Sequence, residues 1–436
     1  MIKKVLLLLL LPLPVLVLAS FFNEVQKRLE TDVNYLSAKL SYEEAVFQSQ
    51  KDKNIFIPYV SLDKFSFNTS ISENTVTYIV KVPFSITFSN VAGFNFSISN
   101  SWQYTSSNDK WSDSGWTFSV SRSLFSNFDL DQLQNQRNLF DVSWKLLSAK
   151  NNVFVNVAND VFNSFYYTNK LQIASRRLQL LSAQVEELRK AYEVGSAALE
   201  DIVNAQKQLQ NLVLQLEKIT QARFSVSKDY PQTVLDTMMK RLHELTSKLP
   251  IEQEAIEAIK ARYDVQASYI ALEIARKQSE RAYQTWLPNP ILSAGMTYKE
   301  DGYSVSLGFS FSYNLIDRGE RSYGYKTAQD KLNLQRASYE EKLRSLERAV
   351  KDSYASIRIA EISKQVAELD LELKKMNLDR LSKKKEFISP QDFETARLDV
   401  EEAELELFKA EFDFLMSKVN LLMILGIDLV EISGGV

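Results

Sequence analysis

Between Phe65 and Phe125 apolar and polar residues alternate with a period of two. Val76, Tyr78, Val80, Val82, Phe84, Ile86 and Phe88 fall on one face, with mainly Thr and Ser between them. Phe94, Phe96, Ile98, Trp102 and Tyr104 repeat the pattern, and Trp116, Phe118 and Val120 begin it again. Far downstream, Tyr303, Val305, Leu307, Phe309, Phe311 and Tyr313 alternate with Ser304, Ser306, Gly308, Ser310 and Ser312. A period of two predicts strands with one apolar and one polar face. A soluble sandwich and a membrane barrel both satisfy that pattern. Small serines and glycines suit a barrel lumen, and aromatics on the apolar face suit a lipid boundary.

The remaining chain has a period nearer 3.5. Leu171, Ala174, Leu178, Leu181, Val185, Leu188 and Tyr192 form one series, resumed after Gly195 by Ile202, Ala205, Leu209, Leu212, Leu216 and Ile219. Ile359, Ile362, Val366, Leu369, Leu373 and Met376 form another, returned by Phe393, Ala396, Val400, Ala403, Leu407, Ala410 and Phe414. These spacings predict coiled-coil seams. Gly195 divides the first pair and Pro390, after Ser389, the second, so each pair is expected to be an antiparallel helical hairpin. A helix from Ser322 to Phe387 would measure roughly 100 Å at about 1.5 Å per residue. Glycine is scarce where these helices are predicted: only Gly195 lies between Asn127 and Trp286, and only Gly324 between Glu320 and Leu425.

The halves repeat one another. Asp201 and Asp392, Ala205 and Ala396, and Phe125 and Ile316 are each 191 residues apart. One offset linking bend, returning helix and strand exit predicts an internal duplication. The fold class expected is α+β, with long antiparallel helical hairpins and membrane-type strands.

Composition narrows the chemistry. The 436 residues carry 52 Lys and Arg against 55 Asp and Glu, a net charge of −3, with no excess of base to neutralise a phosphate backbone. Nucleic acid is not an expected partner. The absence of cysteine and the single histidine, His243, remove disulfides, thiolate chemistry and imidazole clusters. No Gly-rich phosphate loop links a strand to a helix. No catalytic constellation, metal site or cofactor is expected, His243 reads as an exposed helix residue, and Glu401, Glu402, Glu404 and Glu406 read as a solvated helix face. Met1 to Ala19 has Lys3 and Lys4 before a leucine run and a small-x-small end, which predicts a secretory signal cleaved after Ala19.

Several short motifs fall in one order. Leu40, Ser41, Tyr42, Glu43, Glu44 and Ala45 precede the first strand region. Leu287 and Pro288 precede the second, and Leu315, Ile316, Asp317, Arg318 and Gly319 follow it. Gly195 and Asp201 match a Gly-x-x-Ser-x-x-Asp bend in which Ala198 replaces Ser; Ser389 and Asp392 match it where Glu386 replaces Gly. With these motifs the chain resembles the outer-membrane efflux protein family, the TolC-like channels. The resemblance implies a homotrimer whose subunits share one β-barrel in outer-membrane lipid, with helices forming a periplasmic tunnel. It also implies partners: a periplasmic adaptor (membrane fusion protein) and an inner-membrane transporter.

On that resemblance, 1–19 is the signal peptide, 20–58 an N-terminal periplasmic segment, 59–126 the first membrane strand region and 127–222 the first helical hairpin. A connecting equatorial region follows at 223–250, then an entry helix at 251–287, a second membrane strand pair at 288–318, a second helical hairpin at 319–426 and a C-terminal tail at 427–436. Gly195, Leu199, Asp201, Ser389, Pro390 and Asp392 become candidates for adaptor contact. Pro58, Phe125, Leu287, Pro288, Asp317 and Gly319 mark the junctions of barrel and helices. The expected function is a passive trimeric exit channel in a tripartite efflux or type I secretion system. The alternative is a structural envelope protein that spans the periplasm without a conducting lumen. Two features set the chain apart from the family pattern. The first strand region is long enough for four strands, giving six per protomer and 18 per trimer where the resemblance implies four and 12. The helix before that region is expected to be missing. Pro83, inside the longest strand, is expected to mark a bulge or an edge.

Overall fold

The computed structural model describes residues 20–53, 56–72, 75–91, 93–107, 109–226, 228–299, 301–383 and 389–434. The signal peptide expected at 1–19 lies outside them. The chain divides into two units: 1–38, 145–260 and 345–436 form one, and 39–144 and 261–344 the other. Helices α2 (Val33–Lys53), α3 (Phe128–Glu193) and α8 (Glu320–Lys383) contribute residues to both.

The second unit holds an antiparallel sheet of β1 (Tyr59–Leu62), β2 (Ser66–Ser72), β3 (Thr75–Val91), β4 (Phe94–Thr105), β5 (Lys110–Asp113), β6 (Trp116–Ser123), β7 (Ile291–Lys299) and β8 (Gly302–Ser310). These eight segments occupy six positions across the sheet, in the order β1-β3-β4-β6-β7-β8. β2 continues the position of β1 along β3, and β5 continues that of β6 along β4. Four positions therefore precede Asn127 and two follow it.

Pro83 marks a bulge, as expected, on the side of β1 and β2: the register against β3 shifts by one residue between Leu62↔Phe84 and Ser66↔Lys81, so that Asp63, Lys64 and Phe65 stand opposite Val82 and Pro83. Toward β4 it pairs with Ser101 in regular register, and the irregularity on that side falls between Phe88 and Val91. The neighbouring strand breaks at Pro83: β2 ends its pairing at Lys81, β1 begins at Phe84, and Pro83 accepts one bond in the gap, from the Asp63 amide at 3.0 Å. A missing donor is thereby placed where no acceptor is left without it. Gly115 breaks the other divided position. At φ +84° it lies beside β7, where an added Cβ would stand 2.5 Å from the Tyr298 carbonyl oxygen.

The first unit is helical, with α1 (Phe21–Leu29), most of α3, α4 (Leu199–Phe224), α5 (Gln232–Thr246), α6 (Glu252–Ala258), much of α8, α9 (Pro390–Ile424) and α10 (Leu429–Gly434). Its four long helices lie in the order α4, α3, α9, α8. Arg223 on α4 bonds Thr168 on α3 at 3.1 Å; Arg176 and Arg177 on α3 reach α9; Lys374 and Lys375 on α8 reach Asp399 and Glu404 on α9 at 3.8 and 2.9 Å. The core lies where α1 and α5 cover α3 and α9, with Phe162 stacked on Phe412 at 4.0 Å and Met238, Leu242 and Leu398 fully enclosed. The segment expected as a connector is thus largely α5, and the expected tail contains α10. Asn151, 2% exposed, fixes that end: its side-chain amide donates to the Ile427 carbonyl at 2.8 Å and its carbonyl accepts the Leu429 amide at 3.0 Å.

Three expectations are corrected. The helix before the first strand region is present as the 21-residue α2, which carries Leu40 to Ala45. The entry helix expected over 251–287 is not continuous. It consists of α6, a 3₁₀ turn at Ile259–Ala261, the 18-residue α7 (Tyr263–Glu280) and a second 3₁₀ turn at Ala282–Trp286. The first break falls at Arg262, whose ψ of 140° is extended. There its buried guanidinium meets Asp264 at 3.0 and 3.1 Å and stacks over Trp144 at 4.2 Å, a burial tolerable only with the charge paired. α2 and α7 are therefore entry helices of similar length.

The third correction concerns the second seam. On the first hairpin Ala174, Val185, Ile202, Ala205 and Leu212 are buried as expected, and on α9 Ala396, Val400 and Ala403 are buried. The α8 series is not. Ile359, Ile362, Val366, Leu369, Leu373 and Met376 are 53–65% exposed. α8 turns toward α9 the face that carries Ile357, Lys364 and Lys374, nearly opposite that stripe. α8 thus carries two apolar stripes, one of them unused within the chain.

Candidate functional site

At the first bend, α3 ends in a left-handed glycine. Gly195 has φ +74°, its amide donates to the Tyr192 carbonyl at 2.9 Å, and the Ser196 amide donates to Ala191 at 2.8 Å. These bonds satisfy carbonyls the helix end leaves open. α4 starts with a half-formed box: Ala198 has no side-chain oxygen to cap, but the Asp201 carboxylate accepts the Ala198 amide at 3.1 Å. The second bend is closed by Ser389, whose hydroxyl accepts the Asp392 amide at 3.1 Å, with Pro390 at the first helical position. Residues 384–388 of this bend lie outside the described residues. A bond of 3.0 Å from Gln391 to Glu187 ties the start of α9 to the last turns of α3, so both bends occupy one end of the unit.

Gly195, Asp201, Ser389 and Pro390 thus each have a local reason to be where they are. Leu199 does not: it is 59% exposed at the tip, beside Val194 at 79% and Tyr192 at 46%. Val194 was not among the sequence candidates. Its signal in the sequence is an apolar residue beside the bend glycine, off the seam.

Behind the bends, α3 and α9 are joined by charge. Arg176 meets Glu394 and Glu401, both at 2.6 Å, and Arg177 meets Asp399 and Glu402 at 2.7 and 2.8 Å. Lys170 and Tyr166 both reach Glu406 at 2.7 Å. Burial pushes the Tyr166 hydroxyl up to about 12, and although burial favours neutral Lys170, its bonds to Glu406 and Tyr166 hold the ammonium above the usual lysine range. The acidic series read as a solvated face is instead an interhelical ladder, each member with a cationic partner. His243 is half exposed and lies 3.3 Å from Glu411. Among the described residues no cluster of three or more metal-ligating side chains occurs.

The strand–helix junctions are built by capping. Pro58 directly precedes β1. Leu287 ends the 3₁₀ turn in an extended conformation and Pro288 prevents its continuation. Asn289 then bridges the repeats, its side-chain Oδ1 accepting the Phe125 amide at 3.0 Å, while the Leu124 amide donates to the Pro290 carbonyl at 2.9 Å. After β8, Asp317 accepts the amides of Gly319 and Arg321 at 3.2 and 2.9 Å. Arg318 takes φ +53° ahead of Gly319 at +88°. Asp129, in the first turn of α3, is clamped by Arg281 at 2.6 and 2.8 Å and Lys277 at 3.1 Å, which lowers its carboxyl to about 2.

The register fixes the two faces of the sheet. Val305, Met296, Phe118, Ile98, Ile86 and Val60 lie in one row across all six positions. The adjacent row of Ser304, Thr297, Thr117, Ser99, Ser85 and Ser61 lies on the opposite face, where Ser61 bonds Ser85 at 2.8 Å and Thr117 bonds Thr297 at 3.1 Å. One face is largely apolar, interrupted by Asn100 and Arg122, and the other is largely hydroxyl. The outer edges of β8 and of β1–β2 have no strand beside them among the described residues. No described helix is long and apolar enough to cross a membrane.

Residues 255–426 match the family model of the outer membrane efflux protein. No curated protein sequence matches the chain. Among solved structures, the open state of the Neisseria gonorrhoeae MtrE outer membrane channel is 16% identical, with a TM-score of 0.61 over 94% of this chain and 89% of that one. The outer membrane protein VceC of Vibrio cholerae is 13% identical, with a TM-score of 0.59 over 94% and 96%. The Campylobacter jejuni CmeC outer membrane channel is 14% identical, with a TM-score of 0.54 over 93% and 85%. Over 255–426 the chain is thus similar to the outer membrane efflux protein family, and it has the fold of the TolC-like outer-membrane channels.

Proposed function

We propose that three copies of this chain form an outer-membrane exit channel, with one shared barrel in the lipid and the helices lining a periplasmic tunnel. The channel conducts passively, as part of a tripartite efflux or type I secretion system. A periplasmic adaptor docks on the exposed bend tips around Val194, Leu199 and Ser389, and an inner-membrane transporter supplies the energy.

The observation that carries this reading is the sheet. One face is largely apolar, the other is largely hydroxyl, and among the described residues its two edges have no strand beside them. In lipid an open edge leaves backbone groups unpaired, at several kcal/mol each, so such a sheet is viable only when other strands complete it. The exposed stripe on α8 and the exposed Val203 and Leu214 on α4 place apolar surface on both margins of the helical layer, as a ring of copies requires. A missing helix before the first strand region would favour the alternative of a periplasm-spanning protein without a lumen, and α2 stands before that region.

The chain has no cysteine, so single thiols can be placed at will. With Ser306→Cys and Leu307→Cys in intact outer membranes, a membrane-impermeant thiol reagent is expected to label the first and spare the second. Equal labelling of both would count against a lumen on the hydroxyl face. For the partner, a photo-crosslinker attached at Ala198→Cys is expected to capture a helical-hairpin protein of the periplasm; capture of none would remove the adaptor from the account.

A further inference from the structure

Six sheet positions per copy bear on the size of the exit. We propose that β8 of one copy pairs with the β1–β2 edge of the next, so that three copies of the six-position sheet close a barrel of 18 strands with a wide, hydroxyl-lined bore. This rests on the trimeric channel proposed above and goes beyond it by fixing the seam and the width.

Two features of the sheet support closure in this form. The first half holds two more positions than the second, and an excess of one pair preserves the alternation of direction. β1 still leaves α2, and β6 still enters α3. The hairpin tips are also staggered. The β2–β3 tip stands at Thr75, and the β4–β5 tip is level with Ile79 through Thr105. Through Trp116 and Ser99, the β7–β8 tip is level with Pro83. A steady descent of tips across the sheet is the shear that tilted strands need to close. β3 belongs to the same wall as its neighbours, since its register with β4 is continuous from Ile79 to Phe88 and its apolar face continues theirs. It is not a flap laid over a smaller barrel.

With strands about 4.8 Å apart and tilted by about 40°, 18 strands enclose a backbone diameter of about 36 Å, against about 24 Å for 12. Serine, threonine and glycine on the inner face take little of that width. The bore would admit a polypeptide in helical or hairpin form, since a helix with side chains is about 10–12 Å across. Restriction of cargo then falls to the helices rather than to the barrel.

The seam can be tested by disulfide formation in the full-length protein, in native outer membranes. Cysteine pairs would join Ser304 or Ser306 on β8 to Ser61 or Ser66 on the β1–β2 edge, and in a second set to Ser97 or Ser99 on β4. Oxidation is expected to give reducible dimers and trimers with the first set and none with the second. Trimers linked through β4 would overturn the strand count while leaving the channel reading intact, because they would mean that β1 to β3 stand outside the wall. Absence of linked species in both sets, together with a monomeric mass in detergent, would overturn this proposal and the channel reading together.

Discussion

The exposed stripe on α8 gives a quantitative handle on assembly. Leu369 and Leu373 are 61% and 60% exposed within the chain, on the side of the helix away from α9. Fully covering a leucine side chain contributes about 1.5–3 kcal/mol, so covering the remaining three-fifths contributes about 1–2 kcal/mol per residue. The pair Leu369→Ser and Leu373→Ser should then weaken each contact between copies by about 2–4 kcal/mol, and a closed ring of three repeats that loss at every contact. Native mass spectrometry of detergent-extracted protein across a dilution series should show the variant dissociating at concentrations where the parent is trimeric. Far-UV circular dichroism should be unchanged, because the face toward α9 is intact. Leu371→Ser alters that other face and should instead lower the thermal midpoint of the helices. If the stripe variant remains as trimeric as the parent on dilution, the stripe is not the contact between copies and the reasoning fails.

Other positions make separate demands. Asn151→Ala removes both partners of buried backbone groups at Ile427 and Leu429, and should cost about 2–4 kcal/mol of stability by denaturant titration. Arg262→Met leaves the Asp264 carboxylate enclosed with Lys342 as its remaining cation, and should destabilise by about 3–5 kcal/mol; Arg262→Met combined with Asp264→Leu should recover part of that loss. Gly195→Ala meets no neighbouring atom, so its cost should be the backbone term alone, about 1–2 kcal/mol. It should leave the trimer intact while reducing adaptor capture. Asp129 has a folded-state pKa lowered to about 2, so its bonds to Arg281 and Lys277 stabilise the fold above the unfolded carboxylate range. That contribution should fade as the pH falls from about 4 to about 2. At one-third exposure solvent screening holds it to about 1 kcal/mol, and Asp129→Asn should remove this part of the acid sensitivity of thermal melting.

Much of this architecture is legible in the sequence because it is periodic. Val76 to Phe88 and Tyr303 to Phe309 show their faces through alternation alone, and the structure places both runs in one continuous row pattern. The bends are legible at Gly195 and Pro390 because a helix end needs a left-handed residue or a fixed φ. Less legible is what a periodic stripe meets. The α8 series from Ile359 to Met376 has the spacing of a hairpin seam, but spacing names a face and not its partner, and the partner of that face is not α9. Arg262 was not read as a break because part of the cause is tertiary: Asp264 lies two residues on, but Trp144, over which the guanidinium stacks, comes from a distant helix. The carboxylates from Glu401 to Glu406 looked solvated because their cations lie on other helices, more than two hundred residues away for Arg176 and Lys170. Pro83 was legible as a bulge, although the extra residue stands on the neighbouring strand.

The account stands on a water-filled passage built jointly by several copies. Purified, detergent-extracted protein reconstituted into planar bilayers tests that passage directly. Steady, reproducible single-channel current from the trimeric fraction, absent from any monomeric fraction, is the result expected. A stable trimer that carries no current under any applied potential would contradict it, and would leave a span across the periplasm without a duct.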